Sequence, residues 1–121
     1  LGLQTREFNY VDNILDGLIT AIESKPVLDG VINFGSNKEI SIAELAKKIH
    51  SLTNSKSQLE IGALEERPTE IPRMSADSSL ARKKLMWKPK IPFVKGLRKT
   101  IDWYRKYIDL YYQSSSSLNQ L

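Results

Sequence analysis

Arg6, Arg67 and Glu70 are of the residue types that can hold a ligand with both negative charge and hydroxyl groups. A guanidinium is planar, permanently charged and able to donate paired hydrogen bonds to a phosphate. A carboxylate three residues beyond Arg67 can accept hydrogen bonds from sugar hydroxyls. Taken singly, each arginine reads as a surface ion-pair partner and Glu70 as a solvated loop glutamate. Asn33, two residues before Gly35, offers an amide that can meet a ligand or hold a turn.

Other chemistry finds no footing. No Gly-x-x-Gly-x-x-Gly follows a strand, so the dinucleotide-binding fingerprint is absent. No Tyr-x-x-x-Lys occurs: Tyr10, Tyr104, Tyr107, Tyr111 and Tyr112 all lack a lysine four places on. The single histidine, His50, has no cysteine or second histidine to share a metal and sits among Lys47, Lys48 and Ser51 on a helix flank. Asp12, Asp16 and Glu23 read as acids placed by a helix rather than as an acid–base pair. Trp87 and Trp103 read as core, Tyr10 as a packed tyrosine, and Gly35 as a source of positive φ. The sequence therefore predicts no catalytic residue and no metal site.

The chain has 121 residues, 40% hydrophobic and 26% charged, which suits one globular domain with a single core. No apolar run approaches the roughly 20 residues that span a bilayer. The absence of cysteine excludes disulfides and thiolate metal sites and fits a cytoplasmic setting. The net charge of +4 is concentrated: residues 82–106 hold ten Lys or Arg against one acid, Asp102. Such a stretch is either a surface for phosphate or nucleic acid, or the solvated face of two helices. The second reading is preferred, because aromatic rings are not interleaved as stacking platforms.

These residues must be carried by elements the pattern also predicts. A strand is expected over Arg6–Val11, and a helix from Asp12 to about Glu23 with Ile14, Leu15, Leu18, Ile19 and Ile22 on one face. Lys25-Pro26 ends it. Val31–Phe34 is expected as a strand, stopped by Gly35-Ser36-Asn37. Ser41 and Glu44 form a capping box for a helix whose apolar face is Ile42, Leu45, Ala46, Ile49 and Leu52. A third strand is expected over Gln58–Ile61, then an irregular loop over 62–74, with strand pairing around Arg73–Ala76 as an alternative. Asp77 caps a helix to about Leu85. Pro92 opens the last helix, with Leu97, Ile101, Tyr104, Ile108 and Tyr111 as its buried stripe. The domain spans 1–112, and a Ser-rich tail, 113–121, is expected to be disordered.

Three strings occur in an order that resembles one family. Thr5-Arg6-Glu7-Phe8-Asn9-Tyr10-Val11 resembles the Thr-Arg-x-Phe-x-Tyr-Val strand of the extended short-chain dehydrogenase/reductase group of nucleotide-sugar epimerases and dehydratases. Asn33-Phe34-Gly35-Ser36, followed by Ser41–Leu45, resembles its Asn-x-Gly-Ser turn and following helix. Arg67-Pro68-Thr69-Glu70, Ala76-Asp77, Leu85-Met86-Trp87-Lys88-Pro89 and Gly96-Leu97 resemble its Arg-Pro turn and last two helices. Met86 departs from the pattern, which has glycine there, so either that helix ends differently or Met86 is strained.

The resemblance implies an α/β fold of helices with a few short strands: the C-terminal, substrate-binding portion of an extended short-chain dehydrogenase/reductase, lacking the N-terminal Rossmann half. The chain opens on Leu1 rather than Met, which agrees with that reading. It implies that Arg6 and Arg67 reach a diphosphate, that Glu70 meets ribose hydroxyls, and that Asn33 sits at a ligand-facing turn. NAD(P) would be held by the absent half and no cofactor by this chain, which by itself would be inactive. The expected partners are a nucleotide-sugar, the missing half and, through uncovered apolar faces, a second copy of the chain. The competing reading is a freestanding basic interaction module that binds nucleic acid through residues 82–106.

Overall fold

The computed structural model describes residues 2–25, 29–65 and 67–118, the side chains of 111–118 excepted. Its elements are β1 (Thr5–Glu7), α1 (Val11–Glu23), β2 (Glu39–Ser41), α2 (Ile42–Thr53), β3 (Arg73–Met74), α3 (Ser79–Leu85) and α4 (Phe93–Leu118). The α/β class holds, with four helices around a small sheet. β1 is the central strand in the order β2-β1-β3. It pairs antiparallel with β2, Arg6 opposite Ile40, and parallel with β3, Arg6 opposite Met74.

The strand predicted over Arg6–Val11 shortens because Tyr10 already serves the helix: Asn13 N–H donates to the Tyr10 carbonyl at 3.0 Å. α1 ends at Glu23, with Ser24 bonded back to the Ala21 carbonyl, and Pro26 lies outside the described residues. The capping box of α2 forms as the sequence predicts, Glu44 N–H donating to Ser41 Oγ at 3.2 Å.

Two expected strands are absent. Val31–Phe34 and Gln58–Ile61 join no ladder. Both edges of β1 are already filled, by β2 and by the Arg73–Met74 strand, so neither segment finds backbone groups to pair with there. Phe34 serves the core instead. Its ring meets Trp87 edge-on at 4.9 Å, and Trp87, Ala81 and Leu85 form the buried cluster. Gly17 lets α1 approach, because a Cβ there would lie 2.7 Å from the Phe34 ring. The Trp87 indole N–H has no acceptor among the described residues.

Met86 is in the left-handed region, φ 52° and ψ 21°, as the C-cap of α3. Leu85 and Trp87 are both buried while Met86 is 89% exposed. Residues two apart do not share a helix face, so the chain must leave the helix at Met86 to bury both neighbours. Of the two outcomes the sequence allows, strain is the one observed.

Asn13, 3% exposed, ties α1 to the start of the last helical segment. Its Oδ1 accepts from the N–H groups of Lys90 and Ile91, and its Nδ2 donates to the Ile91 carbonyl at 2.9 Å.

α4 corrects the expected stripe. Leu97 and Ile101 are half-buried, but Tyr104 and Ile108 are exposed, and so is Trp103, read from the sequence as core. The helix is held at its start, where Gly96 allows contact with Tyr10, by α2, and through the Lys99–Asp12 ion pair to α1. The Tyr111 side chain lies outside the described residues. Helical backbone continues to Leu118, past Gln113 where disorder is expected, and 119–121 lie outside the described residues.

Candidate functional site

β1 positions the site. Successive strand residues face opposite sides, so Arg6 lies on one face of the sheet and Thr5 and Glu7 on the other. The Arg6 Nη1 donates to the carbonyls of Thr5 and Ile71, each at 2.8 Å, and Nη2 donates to Glu70 Oε1 at 2.5 Å. A guanidinium has five N–H groups, and among the described residues these three bonds leave two that could meet a ligand.

Arg67-Pro68-Thr69-Glu70 is a turn closed by Glu70 N–H donating to the Arg67 carbonyl at 2.9 Å. Proline suits its second position because its φ is preset. The turn brings Arg67 and Glu70 to one rim of a cleft of about 530 Å³. Gln4, Arg6, the first residues of α2, Ile42 and Ala43, and Glu60, Ile61 and Gly62 also line it. A second cleft of about 490 Å³ adjoins it and shares Gln4, Arg67 and Glu70. Volumes of this order suit a small molecule. Two arginines and three glutamates (60, 65 and 70) line the first cleft. That mixture fits a ligand with both anionic and hydroxyl groups better than a bare polyanion.

The structure thus brings together Arg6, Arg67 and Glu70, three of the four residues singled out in the sequence. Asn33 is exposed and lines neither cleft. Gly35 does not take a positive φ; Asn37 does, at 58°. Gly35 is needed for space, since a Cβ there would lie 2.6 Å from Glu7 Oε1. His50 anchors a loop through Nε2, 2.8 Å from the Ser57 carbonyl oxygen.

Glu7 carries no sequence signal, because its partners lie far along the chain. Its carboxylate accepts from the backbone N–H groups of Ser36, Asn37 and Ala76, from Ser75 Oγ and from Asn9 Nδ2. Partial burial alone would push its pKa up. The N–H groups of Ala76 and Ser36, the Ser75 hydroxyl and the Asn37 N–H together outweigh that and hold it below the usual range. Across the same face Glu39 is held low by hydrogen bonds from Arg73 and then Thr5.

The basic stretch is partly neutralised. Lys90 pairs with Asp16, Lys99 with Asp12 at 3.4 Å, and Arg105 with Asp102 at 3.7 Å.

With this geometry in place, comparison with known proteins is decisive. The family described as GDP-mannose 4,6 dehydratase matches residues 2–100. The chain belongs to that family. The dTDP-D-glucose 4,6-dehydratase of Bos taurus is 37% identical over 111 residues, covering 87% of this chain and 30% of the relative. UDP-glucuronic acid decarboxylase 1 of Xenopus tropicalis is 34% identical over 108 residues, covering 89% of this chain and 25% of the relative. Among solved structures, the Bordetella bronchiseptica enzyme WbmF in complex with NAD+ and UDP superposes with a TM-score of 0.76 at 31% identity, covering 99% of this chain and 36% of that one. This member of the GDP-mannose 4,6-dehydratase family therefore has the extended short-chain dehydrogenase/reductase fold over about a third of its relatives' length.

Proposed function

We propose that this chain is the nucleotide-sugar-binding portion of an NAD(P)-dependent sugar-nucleotide epimerase, dehydratase or related enzyme, acting as an isomerase or a lyase. The observation that carries the reading is the convergence of Arg6, Arg67 and Glu70, from positions up to 64 residues apart, on one cleft. Arg6 and Arg67 would hold the diphosphate, and Glu70 would accept from the ribose hydroxyls. Binding energy gathered there can orient a sugar whose reaction occurs elsewhere. Asn33 would act only through its turn.

The residues of this chain do not fit a dinucleotide. The turn from β1 into α1 reads Phe8-Asn9-Tyr10, with no glycine to let backbone approach a pyrophosphate. NAD(P) would be held by a Rossmann portion that partners this one, in the cytoplasm, and the 121 residues alone would be inactive. The ion pairs of Lys90, Lys99 and Arg105 break up the continuous basic face that nucleic-acid binding would need.

Calorimetric titration of UDP, GDP, dTDP and CDP, each beside its nucleoside, tests the reading. Affinity for the diphosphates that the nucleosides lack is expected. Equal or absent binding of both would overturn it.

A further inference from the structure

We propose that Glu7 is the positioning residue for Arg6. This rests on the ligand reading above, but its structural part can be tested separately. Five donors from three segments meet on one carboxylate. Asn37 N–H reaches Oε1 at 3.1 Å with Ser36 N–H beside it, Asn9 Nδ2 reaches Oε1 at 3.2 Å, and Ser75 Oγ and Ala76 N–H reach Oε2, each at 3.0 Å. The 35–37 turn closes on the carboxylate because Gly35 has no Cβ. Ser78, fully buried, holds the same turn from behind, its Oγ 3.0 Å from the Gly35 carbonyl oxygen and 2.5 Å from Asn37 Oδ1.

The consequence for Arg6 follows from strand geometry. Glu7 and Arg6 are neighbours on a three-residue strand and project from opposite faces. Fixing Glu7 to the 35–37 turn and to residues 75–76 therefore sets the rotation of β1 about its own axis. That rotation sets where the Arg6 guanidinium points. Arg6 bonds Glu70 and Ile71, just before β3, and Glu7 bonds Ser75 and Ala76, just after it. The two side chains clamp β3 from both ends. Backbone N–H groups committed to an ionised carboxylate make strong hydrogen bonds, and an amide in place of that carboxylate keeps one neutral, weaker acceptor and sets an NH2 group against the remaining donors.

The test uses Glu7→Gln in the full 121-residue chain, with Leu85→Val as a variant that loosens the core without touching β1. Ser75→Ala, which removes one exposed donor, is the milder variant should Glu7→Gln not fold. Nuclear magnetic resonance reads the amide protons of Ser36, Asn37 and Ala76 and the Arg6 Nη–H groups; calorimetry reads UDP affinity. Expected for Glu7→Gln are upfield shifts of the three amide protons, faster exchange of the Arg6 Nη–H groups and UDP affinity lower by about tenfold. Ser75→Ala should move the same signals less. Leu85→Val should leave the Arg6 signal and the affinity unchanged at a comparable loss of thermal stability. Loss of the amide shifts with an unaltered Arg6 signal would overturn the positioning role. Should the parent chain not bind UDP, the ligand reading fails, and the Arg6 signal alone decides for or against Glu7.

Discussion

The Arg6 guanidinium and the Glu70 carboxylate, 64 residues apart in sequence, meet at 2.5 Å in the cleft. Each is therefore the other's partner before any ligand arrives. Their side chains are 23% and 29% exposed, so water screens the pair and its worth is about 1 kcal/mol or less. A diphosphate can compete with Glu70 for Arg6 at little cost, leaving the carboxylate to turn to hydroxyl donors.

That relationship makes Glu70→Gln informative. UDP affinity is expected to fall by less than about tenfold, because the neutral side chain still accepts a hydrogen bond. The loss should be smaller for dTDP, which lacks the 2′-hydroxyl. Calorimetry on both ligands checks this, and equal losses would mean that Glu70 does not face the ribose.

Acid should loosen the sheet. Glu7, Glu39 and Asp77 all have carboxyls held below their ordinary values; for Asp77 the cause is first the Ser79 backbone N–H and then the Ser79 side chain. A lowered folded-state value means stability that is present above the unfolded value and lost as pH falls through the folded one. The unfolded values are 4.5 for the glutamates and 3.8 for Asp77, so the loss belongs below those values. Thermal unfolding from neutral pH to about pH 3 should show the midpoint falling in that window. Glu7→Gln should flatten the fall.

Met86→Gly should stabilise the chain. A left-handed non-glycine residue costs about 1–2 kcal/mol, against about 0.5–1 kcal/mol of extra unfolded-state entropy for glycine. The exposed Met86 side chain gives up little packing. A net gain of about 0.5–1 kcal/mol, read as a rise of about 2–5 °C in Tm, is expected. A drop would show that α3 does not end as described.

α1 turns Leu15, Leu18, Ile19 and Ile22 to solvent, each about half exposed or more. An uncovered apolar face of this kind favours association. The 121-residue chain should sediment as more than a monomer, and Leu18→Lys with Ile22→Lys should shift it toward monomer. A compact parent monomer with slow amide exchange in α1 would contradict this.

What the sequence made legible were features set by neighbours along the chain. The Ser41–Glu44 capping box and the span of α1 to within a residue follow from short-range chemistry, and the Arg67–Glu70 turn from the family pattern. The two missing strands were a failure of context. Val31–Phe34 and Gln58–Ile61 have strand-like composition, but pairing depends on the fold bringing a segment alongside the sheet, and neither segment joins the β2-β1-β3 order. Residue types and the family pattern brought Arg6, Arg67 and Glu70 forward. Glu7 stayed hidden because its donors, Ser36 and Ala76, are 29 and 69 residues away. Asn33 followed the pattern in sequence but lines neither of these two clefts.

The central claim is that Arg67 and Arg6 hold one diphosphate, and Arg67→Ala tests it most directly. Arg67 is exposed, so the variant should fold as the parent does. A charge-assisted hydrogen bond contributes about 1.5–3 kcal/mol. UDP, GDP, dTDP and CDP should therefore all bind the variant about tenfold to a hundredfold more weakly than the parent chain. Affinities unchanged for all four would contradict the assignment.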